Sequence, residues 1–296
     1  YKMNNAHTPN LPTALEQYFA AFREQIVGID QTFESPFGVQ KIIYTDWTAS
    51  GRLYRPIEDR LVDQFGPYVA NTHTETTESG TAMTKAYHHA RHLIKQHVNA
   101  NADDVLITEG SGMTGVVNKL QRIMGLKVPE RLQAQFTLPA DQRPIVFVSH
   151  MEHHSSQTSW LETIADVEII PADSEGLFSL TELSLLVNKY KNRPVKIASI
   201  TSCSNVTGIQ TPYHEAAKLM HQHQGLCFVD FACSGPYVHI NMHPADPESY
   251  LDAIFFSPHK FLGGPGTSGV LVFNSALYQN TIPDNPGGGT VAWTNP

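Results

Sequence analysis

The sequence predicts an α/β fold: a mostly parallel seven-stranded sheet flanked by helices. Short apolar, β-branched runs recur at 105–108, 145–149, 167–170, 196–201, 226–230, 253–257 and 269–273. Several are apolar at nearly every position, as strands covered on both faces must be. Amphipathic stretches separate them, and strand–helix–strand alternation favours parallel pairing through crossovers.

Residues 14–26 and 56–65 read as helices ahead of the sheet, the first with Thr13 and Glu16 at capping-box spacing. The stretch 111–124 follows a Gly-rich turn and is helical in pattern. Residues 127–143 are polar with two prolines and read as an irregular excursion. Residues 179–189 carry apolar side chains at helical spacing. Residues 213–224 open a helix after Thr211-Pro212.

Bulk properties narrow the function. The chain has 296 residues, 41% hydrophobic and 16% charged, with net charge -8. It shows no basic stripe, so neither nucleic acid nor an anionic membrane surface is an expected partner. No apolar run approaches the roughly 20 residues that span a bilayer. The first residues lack a secretory pattern, and three cysteines without a CxxC pair fit reduced thiols in the cytoplasm. The sequence starts without Met and stops at Trp293-Thr294-Asn295-Pro296, so it is expected to be a segment of a longer protein.

In such a sheet, ligands collect beyond the carboxyl ends of the strands. Five of the seven runs end in polar or ionisable groups. Lys260, in Ser257-Pro258-His259-Lys260, stands between an apolar strand and Gly263-Gly264-Pro265-Gly266. A partly dry amine there is a nucleophile toward an aldehyde. Ser257 and His259 can donate to a phosphate. Asp230 ends Leu226-Cys227-Phe228-Val229, and a buried carboxylate needs a partner, such as a protonated pyridine nitrogen or a local cation. His153 offers a flat ring for stacking. The turn Gly110-Ser111-Gly112-Met113-Thr114 opens a helix and forms an anion site, with neither a GxGxxG fingerprint nor a Walker loop. Asn205, after another strand, can donate to a phenolate-type oxygen. The His-rich run from His150 to His154 also allows a metal-dependent hydrolase built on His150, His153, Asp230 and His259.

Taken in order, Gly112-Met113-Thr114, Glu152-His153-His154, Ser204-Asn205-Val206-Thr207-Gly208, Val229-Asp230-Phe231-Ala232 and Ser257-Pro258-His259-Lys260 form a recognisable set. The chain resembles the class V aminotransferase family of fold-type I pyridoxal-phosphate enzymes, which includes cysteine desulfurases, selenocysteine lyases and isopenicillin-N-epimerase-like proteins. Tyr44-Thr45-Asp46-Trp47-Thr48-Ala49-Ser50-Gly51 looks like the family's N-terminal segment, and Asn71-Thr72-His73 with Ala90-Arg91 like its next block.

The resemblance implies a pyridoxal 5'-phosphate enzyme, a transferase or lyase acting on the α-amino group of an amino acid through a Schiff base on Lys260. It implies Lys260, Asp230 and His153 as catalytic residues. It assigns cofactor binding to Gly112, Met113, Thr114, His153, Asn205, Asp230, Ser257, His259, Lys260 and Thr290, and no metal. The loop Gly287-Gly288-Gly289-Thr290 resembles one that reaches the partner subunit's phosphate, which implies a homodimer. Residues 1–43 are then an N-terminal helical segment and 44–296 the cofactor-binding large domain, with the family's small C-terminal domain missing from this chain.

Two departures stand out. Cys233 occupies a position where the family often has Gln, and Gly115 one where it has an acidic residue. Transamination, desulfuration, racemisation and elimination all stay open. So do the metal-dependent hydrolase and a non-catalytic binding module that keeps the fold.

Overall fold

The computed structural model describes residues 13–72 and 74–287. Helix α1 (Ala14–Glu24) starts with the expected capping box, Thr13 and Glu16 bonding each other's backbone. The expected N-terminal helical segment also holds a hairpin of β1 (Thr32–Ser35) and β2 (Gly38–Lys41). Four residues per strand and exposed side chains leave almost no apolar alternation there to read. Helix α2 (Arg55–Arg60) ends in a π-helical turn, Leu61–Phe65.

Helix α3 (Glu78–His97) precedes the sheet and was not expected from the sequence. It is 20 residues long but buries only Gly80 and Thr84 fully, so it leaves no strong apolar stripe. The seven sheet strands are β3 (Asp104–Glu109), β4 (Ile145–Ser149), β5 (Asp166–Ile170), β6 (Lys196–Thr201), β7 (Leu226–Asp230), β8 (Ala253–Phe256) and β9 (Gly269–Asn274). All seven expected runs form strands, with ends moved by a residue at most. Their order is β3-β9-β8-β7-β6-β4-β5. Strand β9 runs antiparallel to both β3 and β8, and the remaining pairs are parallel.

Helices α4 (Met113–Ile123), α6 (His154–Leu161), α7 (Leu180–Lys189) and α8 (Tyr213–Gln222) make the crossovers. Ser179 caps α7 with its hydroxyl. The excursion at 127–143 stays irregular, holding only the one-turn α5 (Glu130–Gln133) and a 3-10 turn at Ala140–Gln142. Helix α6 was missed in the sequence because His154-Ser155-Ser156-Gln157-Thr158-Ser159 is built of weak helix formers with no apolar period.

Alternation along each strand divides the core into two layers. Ile145 and Phe147 join Leu183, Val187, Ala216 and Met220 on one face. Val146 and Val148 join Val116, Leu120 and Trp160 on the other. Coverage of both faces is why these strands read as continuous apolar runs. Because six strands share one direction, the carboxyl ends of β3, β4, β6, β7 and β8 meet along one edge. Among the described residues no helix is long and apolar enough to cross a membrane.

Trp160 is fully buried, lies against Phe228 with ring centroids 6.2 Å apart, and donates its indole N–H to Ser199 Oγ at 2.8 Å. Trp160→Ala removes the packing and orphans that hydroxyl. A loss of about 3–5 kcal/mol is expected from chemical denaturation curves. A loss under about 1 kcal/mol would show that α6 does not hold this layer.

Candidate active site

The turn bearing Lys260 is built by backbone rather than side chains. After β8 the chain passes Ser257 in extended conformation and enters a 3-10 turn, Pro258–Lys260. Lys260 N–H donates to Ser257 O at 3.0 Å, and Phe261 N–H to Pro258 O at 2.9 Å. Residues from the start of the domain brace this turn: Gly51 N–H donates to His259 O at 2.8 Å, and Gly263 N–H to Arg52 O at 2.7 Å. A Cβ on Gly51 would lie 1.9 Å from Phe261 O, and one on Gly264 1.8 Å from Pro258 O. Only glycine fits at either place. Lys260 is half-buried, and its amine makes no hydrogen bond or ion pair with the described residues.

Asp230 closes β7, opposite Thr201 of β6 and Phe255 of β8. It is 4% exposed, and the one donor that reaches its carboxyl among the described residues is Ala232 N–H, at 2.7 Å. Burial raises its pKa from 3.8 to about 6, against the pull of that amide and of Lys260.

A second carboxyl lies beneath the same wall. Glu152 Oε1 accepts from Ser149 Oγ and, at 2.7 Å, from Thr201 N–H. Its Oε2 is buried without a partner among the described residues. Burial, helped by the negative charge of Asp230 and opposed by these donors, pushes its pKa up to about 8. Glu152 is therefore mostly protonated at neutral pH. It ties β4 to β6 immediately before His153. No role was drawn for it from the sequence, because its burial follows from the strand order.

His153 caps α6, its Nδ1 accepting from Ser155 N–H at 3.2 Å and lying 2.7 Å from Ser155 Oγ. Burial lowers its pKa, and Lys260 and His154 add to the shift. The ring is neutral at neutral pH.

At the far side, Gly112 has φ +112°, open to glycine, and a Cβ there would sit 2.8 Å from the His259 ring and 3.3 Å from Ser257 Oγ. Gly269 presses from below, where a Cβ would meet Gly112 O at 2.0 Å. Met113 N–H donates to Ser257 Oγ at 2.9 Å. The N-cap of α4, Gly112, offers no side chain of its own, and the Ser257 and His259 side chains stand beside the first turn. Farther along α4, Lys119 and Arg122 pair with Glu109 and Asp284, fastening the chain near the end of the described residues.

These groups surround one cavity of about 320 Å³, within the roughly 300–1,000 Å³ typical of small-molecule sites. Gly112, Met113, Thr114, His153, Asn205, Asp230, Ser257, His259 and Lys260 all line it. Thr290, with Gly288 and Gly289, lies outside the described residues. Ser155 and Thr201 also line the cavity and were not singled out. The strand-end rule points to Thr201, which shares a register position with Asp230. Cys203 and Cys233 line it too.

His150 is not part of the cavity; its Nε2 lies 3.0 Å from Gly176 O. Among the described residues no three His, Cys, Asp or Glu side chains are grouped to hold a metal ion. The hydrolase built on His150, His153, Asp230 and His259 is thus unsupported.

Residues 43–295 match the family described as Aminotransferase class-V. A probable cysteine desulfurase of Halalkalibacterium halodurans is 26% identical over 252 residues, 83% of this chain and 57% of that protein. One from Staphylococcus epidermidis is 26% identical over 254 residues, 84% of this chain and 56% of that protein. The chain spans little more than half the length of these relatives. Among solved structures, the apo cysteine desulfurase of Thermococcus onnurineus NA1 aligns with TM-score 0.64 and 19% identity over 86% of this chain and 56% of that one. The cysteine desulfurase CsdA of Escherichia coli aligns with TM-score 0.63 and 23% identity over 87% and 58%. At such identities the structures speak for the fold, a mostly parallel sheet of the fold-type I class. The family match extends over most of the sequence, including every strand of that sheet, and so this chain belongs to the aminotransferase class-V family.

Proposed function

We propose that this chain is the cofactor-binding part of a pyridoxal 5'-phosphate enzyme acting on the α-amino group of an amino acid, with Lys260 as the residue that carries the cofactor. The observation that supports this best is one cavity lined by an amine without a partner and by a buried carboxylate with a single amide donor. The residues suit the group chemically. Among the described residues Asp230 has no ion pair and a single hydrogen-bond donor, and a protonated ring nitrogen would supply the missing partner. The start of α4, with Thr114, Ser257 and His259 around it, suits a phosphate.

Bound there, the cofactor supplies an aldehyde for amines and a cationic ring that accepts electrons from the substrate's α-carbon. The remaining work falls to the chain. Lys260 would hold the cofactor through its amine and would move a proton at the substrate's α-carbon. Asp230 would keep a proton on the ring nitrogen. His153, neutral and fixed through Nδ1, would stack against the cofactor. Asn205 would donate a hydrogen bond to it. Glu152, uncharged, adds no second negative charge beside Asp230. The proposal includes a homodimer in which the loop ending at Thr290 reaches the partner's phosphate. Cysteine desulfuration, named for the relatives, is the first activity to assay.

Protein purified with added cofactor is expected to be yellow, and borohydride to fix the cofactor on the peptide containing Lys260. Lys260→Ala should lose the fixed adduct entirely. Wild-type protein that stays colourless with excess cofactor, or an adduct on another lysine, overturns the assignment.

Asp230 binds its proton more tightly in the fold than in the unfolded chain, about 6 against 3.8. A raised carboxyl pKa makes the folded state hold the extra proton, so the cofactor-free protein loses stability as pH rises through this window. The contribution is on the order of 3 kcal/mol. Asp230→Asn should flatten the fall in denaturation midpoint between about pH 4 and about pH 6. Identical pH profiles for the two proteins would contradict the buried, underpaired carboxylate.

A further inference from the structure

We propose that Cys203 and Cys233 are a redox-responsive pair that closes into a disulfide in the wall of the cavity and thereby weakens cofactor binding. Parallel pairing of β6 and β7 sets Thr201 opposite Asp230. The two chains stay in contact beyond the strand ends. Ser202 N–H donates to Asp230 O at 2.9 Å, the hydroxyls of Ser202 and Ser234 bond each other, and Cys233 Sγ donates to Cys203 O at 3.0 Å. The Cys233 sulfur thus touches the backbone of Cys203, the close approach that a disulfide between the two residues needs. Both thiols are free, half-buried, and open to the cavity that holds Lys260 and Asp230.

The two cysteines differ in readiness. Burial pushes the Cys233 thiol up to about 12, and Cys203 and Asp230 add to the shift. It stays protonated and is a poor first nucleophile. With the Cys233 thiol engaged in its hydrogen bond to Cys203 O, Cys203 is assigned as the thiol that meets the oxidant and Cys233 as the one that resolves. With hydrogen peroxide, the O–O bond breaks, Cys203 sulfur becomes a sulfenic acid and one water leaves. Cys233 sulfur then attacks that sulfur, the S–S bond forms, and its proton leaves with the second water. Two thiols lose two electrons and two protons, and peroxide becomes two waters. Contact between the two residues compensates for the low thiolate fraction at Cys233.

The bridge has a mechanical consequence. Cys203 ends at a small loop closed by Ser204 N–H to Ile209 O at 2.9 Å and Thr211 N–H to Ser202 O at 2.9 Å. That loop carries Asn205. Cys233 follows Asp230 by three residues. Linking the sulfurs breaks the Cys233 Sγ–Cys203 O hydrogen bond and re-ties the Asn205 loop to the Asp230 turn, shifting both lining groups. The effect on binding rests on the pyridoxal-phosphate proposal, whereas the oxidation does not. Cys227, buried in β7 with its pKa far above normal, is an internal control that should not react.

The experiment treats reduced, cofactor-loaded protein with hydrogen peroxide, followed by alkylation and intact and peptide mass spectrometry. The expected result is a mass loss of two hydrogens, a linked peptide pair containing Cys203 and Cys233, and Cys227 still a free thiol that is alkylated only once the protein is unfolded. Visible absorption should fall in step and return with dithiothreitol. Cys203→Ser and Cys233→Ser should each abolish the linked peptide and the loss of absorption. Absence of the linked pair, or over-oxidation of either thiol alone in wild type, overturns the proposal. A linked pair with unchanged absorption overturns the control of binding. Protein that never takes up cofactor fails the function proposed above, and the mass result then still decides the disulfide.

Discussion

The site depends on one constraint: a carboxylate at the end of a strand buried on both faces. Asp230 is almost wholly removed from water, yet a single amide serves it. Leaving such a group underpaired costs free energy, which its raised pKa records. The surrounding β6, β7 and β8 are too well packed for the chain to relax around it. The cost is tolerable because the carboxylate faces a cavity rather than a closed core, so an incoming cation can meet it.

The rest of the wall keeps that position from collapsing. Glu152 spans β4 and β6 in a form that is mostly uncharged at neutral pH, so it ties strands without adding repulsion. Gly51, Gly264 and Gly269 let backbone approach backbone where any side chain would push the turns apart, and Gly112 leaves room for the His259 and Ser257 side chains. The cradle is therefore rigid through main-chain contact, which serves precise placement of a small ligand better than mobile side chains do.

Strand ends were legible in the sequence because their chemistry is local: an apolar run followed by Asp230, or by Ser257 to Lys260, announces itself. So was the two-faced burial of the sheet. Helix α3 was not, since it buries Gly80 and Thr84 rather than a stripe of leucines. Helix α6 was hidden by its serines. Glu152 stood in the matched block without a role, because only strand order shows that its carboxyl is enclosed. The approach of Cys203 to Cys233 likewise needs the adjacency of β6 and β7, which a separation of 30 positions in the sequence conceals.

The brace between Ser50-Gly51 and the Lys260 turn has a consequence for how the molecule comes into being. The contact joins positions 209 residues apart. Closing so long a loop is entropically slow to reward, and a domain rich in such pairings has high contact order. During synthesis the sheet edge remains unfinished until its last strands leave the ribosome. The turn bearing Lys260 is thus completed late, when the segment around Gly51 meets the finished sheet.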